Sequence, residues 1–183
     1  MSKKEWEERY KSKTVDQEPD AVDLLRKNIH LFSAGTALDI AMGMGQNAAF
    51  LASRGYEVTG VDRSGTAVSL AQEHAKKKAV SLRTVEADIL TYDIRENYFD
   101  VILNFYFLER SLIPKIKKGL KKNGLVFFET YTIDQSRFGR PWNPAHLLKT
   151  NELLAFFLDF FIIFYHERIE EKKAIASLIA QKV

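Results

Sequence analysis

Residues 37–45 read Ala-Leu-Asp-Ile-Ala-Met-Gly-Met-Gly, and no other stretch constrains the fold of this chain so tightly. A short apolar run ends in a glycine turn and leads into a helical pattern that starts near Gln46. A second apolar run over 56–61 ends on Asp62, 19 positions after Gly43. Glycine has no Cβ, so a ligand can come close to the backbone there. The helix that follows offers unpaired N–H groups and a positive partial charge. An acid at the tip of the second strand can accept hydrogen bonds from both hydroxyls of a ribose. Together these features point to a nucleoside site.

The rest of the sequence fits the same kind of unit. Strand patterns over 36–41, 57–61, 80–85, 99–104 and 125–131 alternate with helical ones. A short amphipathic helix around Trp6 and Tyr10 precedes them, then a helix from Pro19 to about Leu31. Further helices are expected from Ser64 to about Lys77, over 111–121 and over 146–158, with an interruption of the last near Thr150 left open. Two more strands, 160–168 and 174–181, follow with no helix between them. The expected fold is therefore α/β: a Rossmann-like, seven-stranded, mostly parallel sheet with helices on both faces and a C-terminal antiparallel hairpin. The chain reads as a single domain over 1–183. Residues 1–32 form a helical cap, 33–131 a cofactor-binding core, and 132–183 a substrate-side loop, helix and hairpin.

Composition excludes several chemistries. The 183 residues contain no cysteine, so disulfides, thiolate nucleophiles and Cys-based metal sites are out. His30, His74, His146 and His166 are too scattered for a zinc motif, and no metal is expected. Net charge is only +3, and the lysine clusters at 76–78 and 115–122 fall at helix ends, where cations favour the dipole. No nucleic-acid partner is expected. The apolar run 153–165 falls short of the roughly 20 residues needed to span a bilayer. With a charged, signal-free start, the reading is cytoplasmic and not membrane-bound. The sequence leaves the oligomeric state open.

Two cofactor classes fit the glycine turn. Gly43-x-Gly45-x-x-Ala48 satisfies the nicotinamide-dinucleotide pattern, which permits alanine at its third position. Asp39 separates the two. A diphosphate gains nothing from an anion behind its turn, whereas a ligand bearing an amino group and a sulfonium does. Asp39-x-Ala41-x-Gly43-x-Gly45 resembles motif I of the class I S-adenosylmethionine-dependent methyltransferases. Glu86-Ala87-Asp88-Ile89 is similar to the adenine-contacting segment of that class. Phe99-Asp100-Val101-Ile102-Leu103-Asn104 is similar to its motif IV, beside the methionine part of the cofactor.

Trp6-x-x-Arg9-Tyr10 and Arg137-Phe138-Gly139-Arg140-Pro141-x-Asn143-Pro144 further resemble the small bacterial tellurite-resistance or thiopurine-type methyltransferases. That family usually has Cys and Arg where this chain has Met42 and Gln46. The resemblance implies S-adenosyl-L-methionine as cofactor, held by Asp39, Gly43, Gly45, Asp62, Arg63, Asp88, Ile89 and Asn104. It implies methyl transfer to a small acceptor: a thiol, a metalloid oxyanion or another soft or anionic nucleophile. Tyr10, Tyr106 and Arg137 are the expected catalytic-site residues. Aromatic faces attract a sulfonium, and an arginine suits an anionic acceptor. Glu129 and Tyr131, at the carboxyl end of a strand, are further candidates. The alternatives are a non-catalytic S-adenosylmethionine-binding protein and a nicotinamide oxidoreductase.

Two mechanical expectations follow. The helix around Trp6 and Tyr10 and the loop 132–144 close over the cofactor as a lid. Asp62 sits at an exposed strand tip, so its removal should affect binding and leave folding little changed.

Overall fold

In the computed structural model, residues 2–15, 20–139 and 143–183 are described. The expected helix start at Pro19 and the loop residues Arg140, Pro141 and Trp142 lie outside them. Seven strands form one sheet in the order β3-β2-β1-β4-β5-β7-β6, with β1 Thr36–Ile40, β2 Glu57–Asp62, β3 Arg83–Glu86, β4 Phe99–Phe105, β5 Leu120–Tyr131, β6 Phe161–Glu170 and β7 Lys173–Gln181. The expected mixed sheet is present. The chain divides into two compact units, residues 1–93 and 94–183.

In the first unit β1, β2 and β3 pair in parallel. Ala37, Leu38, Ile40 and Val61 are fully buried, as in strands covered on both faces. Helices α1 (Lys3–Lys11), α2 (Asp23–Asn28), α3 (Gln46–Ala52) and α4 (Gly65–Lys77) complete the unit. Ser64 caps α4, its hydroxyl accepting from the Ala67 N–H at 3.1 Å. Met42 packs with Val68, Ala71 and Leu82. It also crosses Gly60 so closely that a Cβ there would lie 2.1 Å from the Met42 sulfur. That contact explains a glycine in the middle of β2.

Strand β3 starts at Arg83 rather than at position 80 because α4 ends in a wound-up cap. Ala79 is left-handed (φ 55°), and the Val80 N–H reaches back to the Ala75 carbonyl at 3.0 Å. This is the Schellman pattern, built here on alanine. It uses residues that local propensity assigns to the strand.

In the second unit β4 and β5 are parallel, while β7 runs antiparallel to both β5 and β6. The expected terminal hairpin is there. Helix α5 (Ile113–Gly119) has Pro114 in its first turn and stops early, because Leu120 already pairs with Phe99. Of the helix expected over 146–158, only α6 (Glu152–Phe156) forms, preceded by a 3-10 turn at Pro144–His146. Asn151 is left-handed (φ 61°), and Leu148 bridges to Thr132. Arg110 explains the interruption. It holds Glu152 through both carboxylate oxygens at 2.8 Å, and it donates to the carbonyls of Ala145 and Leu147 at 2.6 and 3.0 Å. Carbonyls held by a guanidinium are not available to a helix.

Candidate functional site

The first unit builds a cradle around the glycine turn. After β1 the backbone turns left-handed at Ala41 (φ 52°), Gly43 (φ 57°) and Gly45 (φ 82°), and α3 starts. Such a conformation costs a non-glycine residue strain, so the rest of the unit must hold it. Asp62 does much of this. Its two carboxylate oxygens accept from the Gly43 and Ser64 N–H groups, each at 2.9 Å. It is only 8% exposed. The expectation of an exposed strand tip is corrected here: Asp62 ties the turn to the start of α4, so it belongs to the fold as well as to the site. Burial raises its pKa above the ordinary carboxylate value, and the hydrogen bonds from Ser64 and Gly43 oppose that rise.

Asp39 is more extreme. It is 1% exposed, and its Oδ2 has no hydrogen-bond partner. Burial raises its pKa to about 8, against a hydrogen bond from the Ala48 N–H and with help from the neighbouring Asp62. An unshared buried carboxylate oxygen is costly unless something cationic or proton-bearing meets it. Together with the glycines at 43 and 45, it makes the cradle suited to a ligand with an ammonium group.

Helix α1 lies over this cradle. It has no buried residue, so polar contacts hold it in place. Glu7 accepts from the Gly65 N–H at 2.7 Å, the Thr66 N–H at 3.2 Å and the Thr66 hydroxyl at 2.5 Å. The Thr66 hydroxyl and these amides hold its carboxyl down to about 2. Lys3 pairs with Glu86 at 2.6 Å. A Cβ added to Gly43 would lie 2.9 Å from the Tyr10 hydroxyl, so the tyrosine covers the turn. Trp6 stacks on Tyr10 with ring centroids 5.8 Å apart, and Arg9 lies over Trp6. On the same side of this unit Arg63 pairs with Asp88 at 3.5 Å, and Ile89 is buried. Glu7 was not among the expected residues. Its only sequence signal is an acid on a helix whose docking surface the sequence does not reveal.

The second unit carries a separate polar cluster. Asn104, at the end of β4, is buried and donates to the Phe107 carbonyl at 2.7 Å, which shapes the turn after the strand. Tyr106 within that turn is left-handed (φ 55°) and 40% exposed. Its N–H donates to the Glu129 carbonyl and its hydroxyl to Glu129 Oε1, both at 2.7 Å. Its ring lies 5.3 Å from that of Tyr131. Glu129 is 1% exposed. Its Oε2 accepts from the Ser177 hydroxyl at 2.5 Å and from Arg168 at 3.3 Å, while Arg168 also donates to Ser177 and pairs with Glu170. Burial, then the Glu129 charge, pushes the Tyr106 phenol well above its ordinary pKa.

Arg137 stands apart from that cluster in its contacts. It is exposed and pairs with Asp134 at 2.8 Å. Arg168 and Ser177 were missed by sequence reasoning, because only the strand register places them beside Glu129. Ser177 pairs with Glu129 on one side and His166 on the other, and Arg168 lies two residues beyond His166. Among the described residues, no three His, Asp or Glu side chains gather to hold a metal, and no helix is long and apolar enough to cross a membrane.

Comparison with known proteins bears on both halves. Residues 37–124 match a family described as "Methyltransferase domain". The chain is 27% identical over 159 residues to the "Probable S-adenosyl-L-methionine-dependent methyltransferase TehB" of Haemophilus influenzae, covering 83% of this chain and 54% of that protein. It thus spans about half the length of that relative. The crystal structure of TehB from Haemophilus influenzae superposes with a TM-score of 0.74 at 24% identity, over 88% of this chain and 62% of that one. A methyltransferase structure from Aquifex aeolicus matches along the whole of both chains (100% each) with a TM-score of 0.69 at 14% identity.

Proposed function

We propose that the chain, which is similar to TehB, is a class I S-adenosylmethionine-dependent methyltransferase that methylates a small soft or anionic acceptor such as a thiol or a metalloid oxyanion. One observation carries the cofactor half of this reading: the buried, unshared Oδ2 of Asp39 behind a turn with glycine at 43 and 45. Asp39 receives the ammonium of the methionine part. Gly43 lets the ligand approach the backbone, Gly45 gives the turn its left-handed end with Ala71 packed where a Cβ would be, and Asp62 takes the ribose hydroxyls with lone pairs left over from its two amide contacts. Arg63, Asp88 and Ile89 serve the adenine, and Asn104 belongs to the segment whose resemblance assigns it to the methionine part. When bound, the cofactor supplies an activated methyl carbon.

The acceptor half rests on aromatic and charged groups. Tyr106 and Tyr131 offer ring faces that suit a sulfonium. Tyr10 covers the glycine turn, and Arg137, exposed and paired with Asp134, is the proposed partner of an anionic acceptor. Helix α1 acts as a lid that excludes water during transfer. On this reading the whole chain works as one enzyme domain in the cytoplasm, with residues 1–32 as its cap and without a nucleic-acid partner.

The test is a screen of methyl-donor consumption over thiols, selenite, tellurite, amines and carboxylates, alongside calorimetric titration with S-adenosylmethionine and NAD. The expected result is binding of the methyl donor alone and turnover with a thiol or a metalloid. Dinucleotide binding without methyl-donor binding refutes the cofactor assignment. Tight methyl-donor binding with no single-turnover transfer to any acceptor refutes the enzyme reading in favour of a binding protein.

A further inference from the structure

The cluster around Tyr106 has a definite hydrogen-bond polarity. A phenol has one hydrogen to give, and Tyr106 gives it to Glu129 Oε1 at 2.7 Å. The other Glu129 oxygen is saturated by Ser177 at 2.5 Å and by Arg168 at 3.3 Å. The guanidinium and the hydroxyl fix the orientation of the carboxylate, so its Oε1 stays turned toward the phenol as an acceptor. Turning the Tyr106 hydroxyl away would leave a buried carboxylate oxygen without its donor, which is costly. Tyr106 therefore points its hydrogen inward and presents only lone pairs outward. Its left-handed backbone (φ 55°), tied by its N–H to the Glu129 carbonyl, fixes the ring in that pose.

We propose that Arg168 and Ser177, acting through Glu129, hold Tyr106 as a hydrogen-bond acceptor toward the methyl acceptor, so that the preferred substrate brings its own proton: a thiol or a hydroxyl compound rather than a bare oxyanion. This rests on the reading above, in which Tyr106 lines the acceptor site, and it narrows that reading to one substrate class. The proton has a place to go. As the substrate's X–H proton reaches Tyr106 Oη, the tyrosine hydrogen passes to Glu129 Oε1, and Glu129 becomes a neutral acid. The electron pair left on X forms the bond to the incoming methyl carbon, and the pair of the broken carbon–sulfur bond stays on sulfur.

Charge accounting favours the step. Arg168 sits between two carboxylates, Glu129 at 3.3 Å and Glu170 at 3.0 Å. The three groups carry an excess negative charge that one proton cancels, and Arg168 keeps Glu170 as its partner afterwards. Tyr106 is then a catalytic residue, Glu129 is the final proton acceptor behind it, and Arg168 and Ser177 are positioning residues.

The experiment compares wild type, Tyr106→Phe, Glu129→Gln and Arg168→Met, with Arg168→Lys as the conservative control. Folding is checked by thermal melting and cofactor binding by calorimetry. Tyr106→Phe keeps the half-exposed ring and serves if the Glu129 variant does not fold. Methyl transfer to 2-mercaptoethanol is followed from pH 6.5 to 9.5. General acid–base contributions are typically about 100-fold or more, so Tyr106→Phe and Arg168→Met should lose on the order of 100-fold in kcat at pH 6.5. That deficit should shrink at least roughly tenfold by pH 9.5, where the thiol ionises unaided. Arg168→Lys should recover part of it, and cofactor affinity should hold within about twofold.

A second readout needs no turnover. The Tyr106 ring-carbon NMR signal, assigned by its absence in Tyr106→Phe, should shift when 2-mercaptoethanol or phenol is added and stay unmoved by selenite. A deficit equal at every pH, or a signal that responds only to selenite, overturns the proposal while leaving methyl transfer intact. A wild type that transfers to selenite and to no thiol or hydroxyl compound also overturns it. No transfer to any probe, with no NMR response, overturns it together with the reading it rests on.

Discussion

Replacing Asp62 with alanine should damage the fold and the cofactor site together, and the structure sets the scale. The carboxylate accepts two buried backbone N–H groups, from Gly43 and Ser64, each at 2.9 Å. Alanine leaves both donors without a partner, at about 1–3 kcal/mol for each orphaned group. Part of that loss is offset, because burial already disfavours the ionised carboxylate. The net cost should be about 2–4 kcal/mol of stability at pH 7, a sizeable share of the roughly 5–15 kcal/mol typical of a domain. Cofactor affinity should fall by about 2–4 kcal/mol as the charged acceptors for the ribose hydroxyls disappear. Urea unfolding at pH 7 reads the first quantity and calorimetric titration the second. Asp62→Asn is the control: its amide keeps one acceptor oxygen, so it should lose about half as much stability as Asp62→Ala. An unchanged unfolding midpoint for Asp62→Ala would refute the claim that this carboxylate holds the turn. An unchanged affinity would put the ribose elsewhere.

Other consequences follow from the same cradle. Burial raises Asp39 from 3.8 to about 8, so the ligand-free protein binds more protons than its unfolded chain between those values. Its stability should therefore fall as pH rises from about 4 to 8, and Asp39→Asn should flatten that fall while weakening methyl-donor binding at least tenfold, as read by melts across pH and by calorimetry. Gly43→Ala places a methyl group 2.9 Å from the Tyr10 hydroxyl at a positive φ. It should cost about 1 kcal/mol of backbone strain and push α1 off the turn, which faster amide exchange in residues 3–11 would reveal. Removing residues 1–15 takes away the Glu7 and Lys3 contacts but no apolar core, so the truncated protein should stay folded, bind cofactor more weakly and lose most turnover. Full activity after truncation would refute the lid.

Much of the sheet was legible because parallel strands buried on both faces announce themselves as apolar runs, and because glycines mark backbone that other residues enter only under strain. The terminal hairpin was legible for a similar reason: two strand patterns came with no helical period between them. Local pattern failed where a distant side chain decided the backbone. The pattern over 146–158 left a break near Thr150 open but could not show its cause, Arg110, whose guanidinium claims two carbonyls and Glu152 from far away in the sequence. In the site, Asp39, Gly43 and Asp62 could be read because they lie on a spacing that the turn imposes. Glu7, Arg168 and Ser177 could not, since their positions depend on helix docking and on antiparallel register, which no short window records. Asp62 was read correctly as an acid at a strand end, but its burial depends on α4 packing behind it.

The order of strands in the second unit also bears on how the chain is made. Strand β7 is synthesised after β6, yet it lies between β6 and β5 and pairs with both. Until residues 173–181 emerge, β6 has no neighbour and the far edge of β5 stays open. At ~5–20 residues per second, the interval between translation of β5 and of β7 lasts seconds. For that time the Val126–Phe127–Phe128 stretch presents an unpaired, apolar strand edge to the cell, the kind of template on which chains aggregate. Slower translation over residues 132–172 would lengthen that exposure, so the yield of soluble protein should depend on codon choice in a segment remote from the glycine cradle.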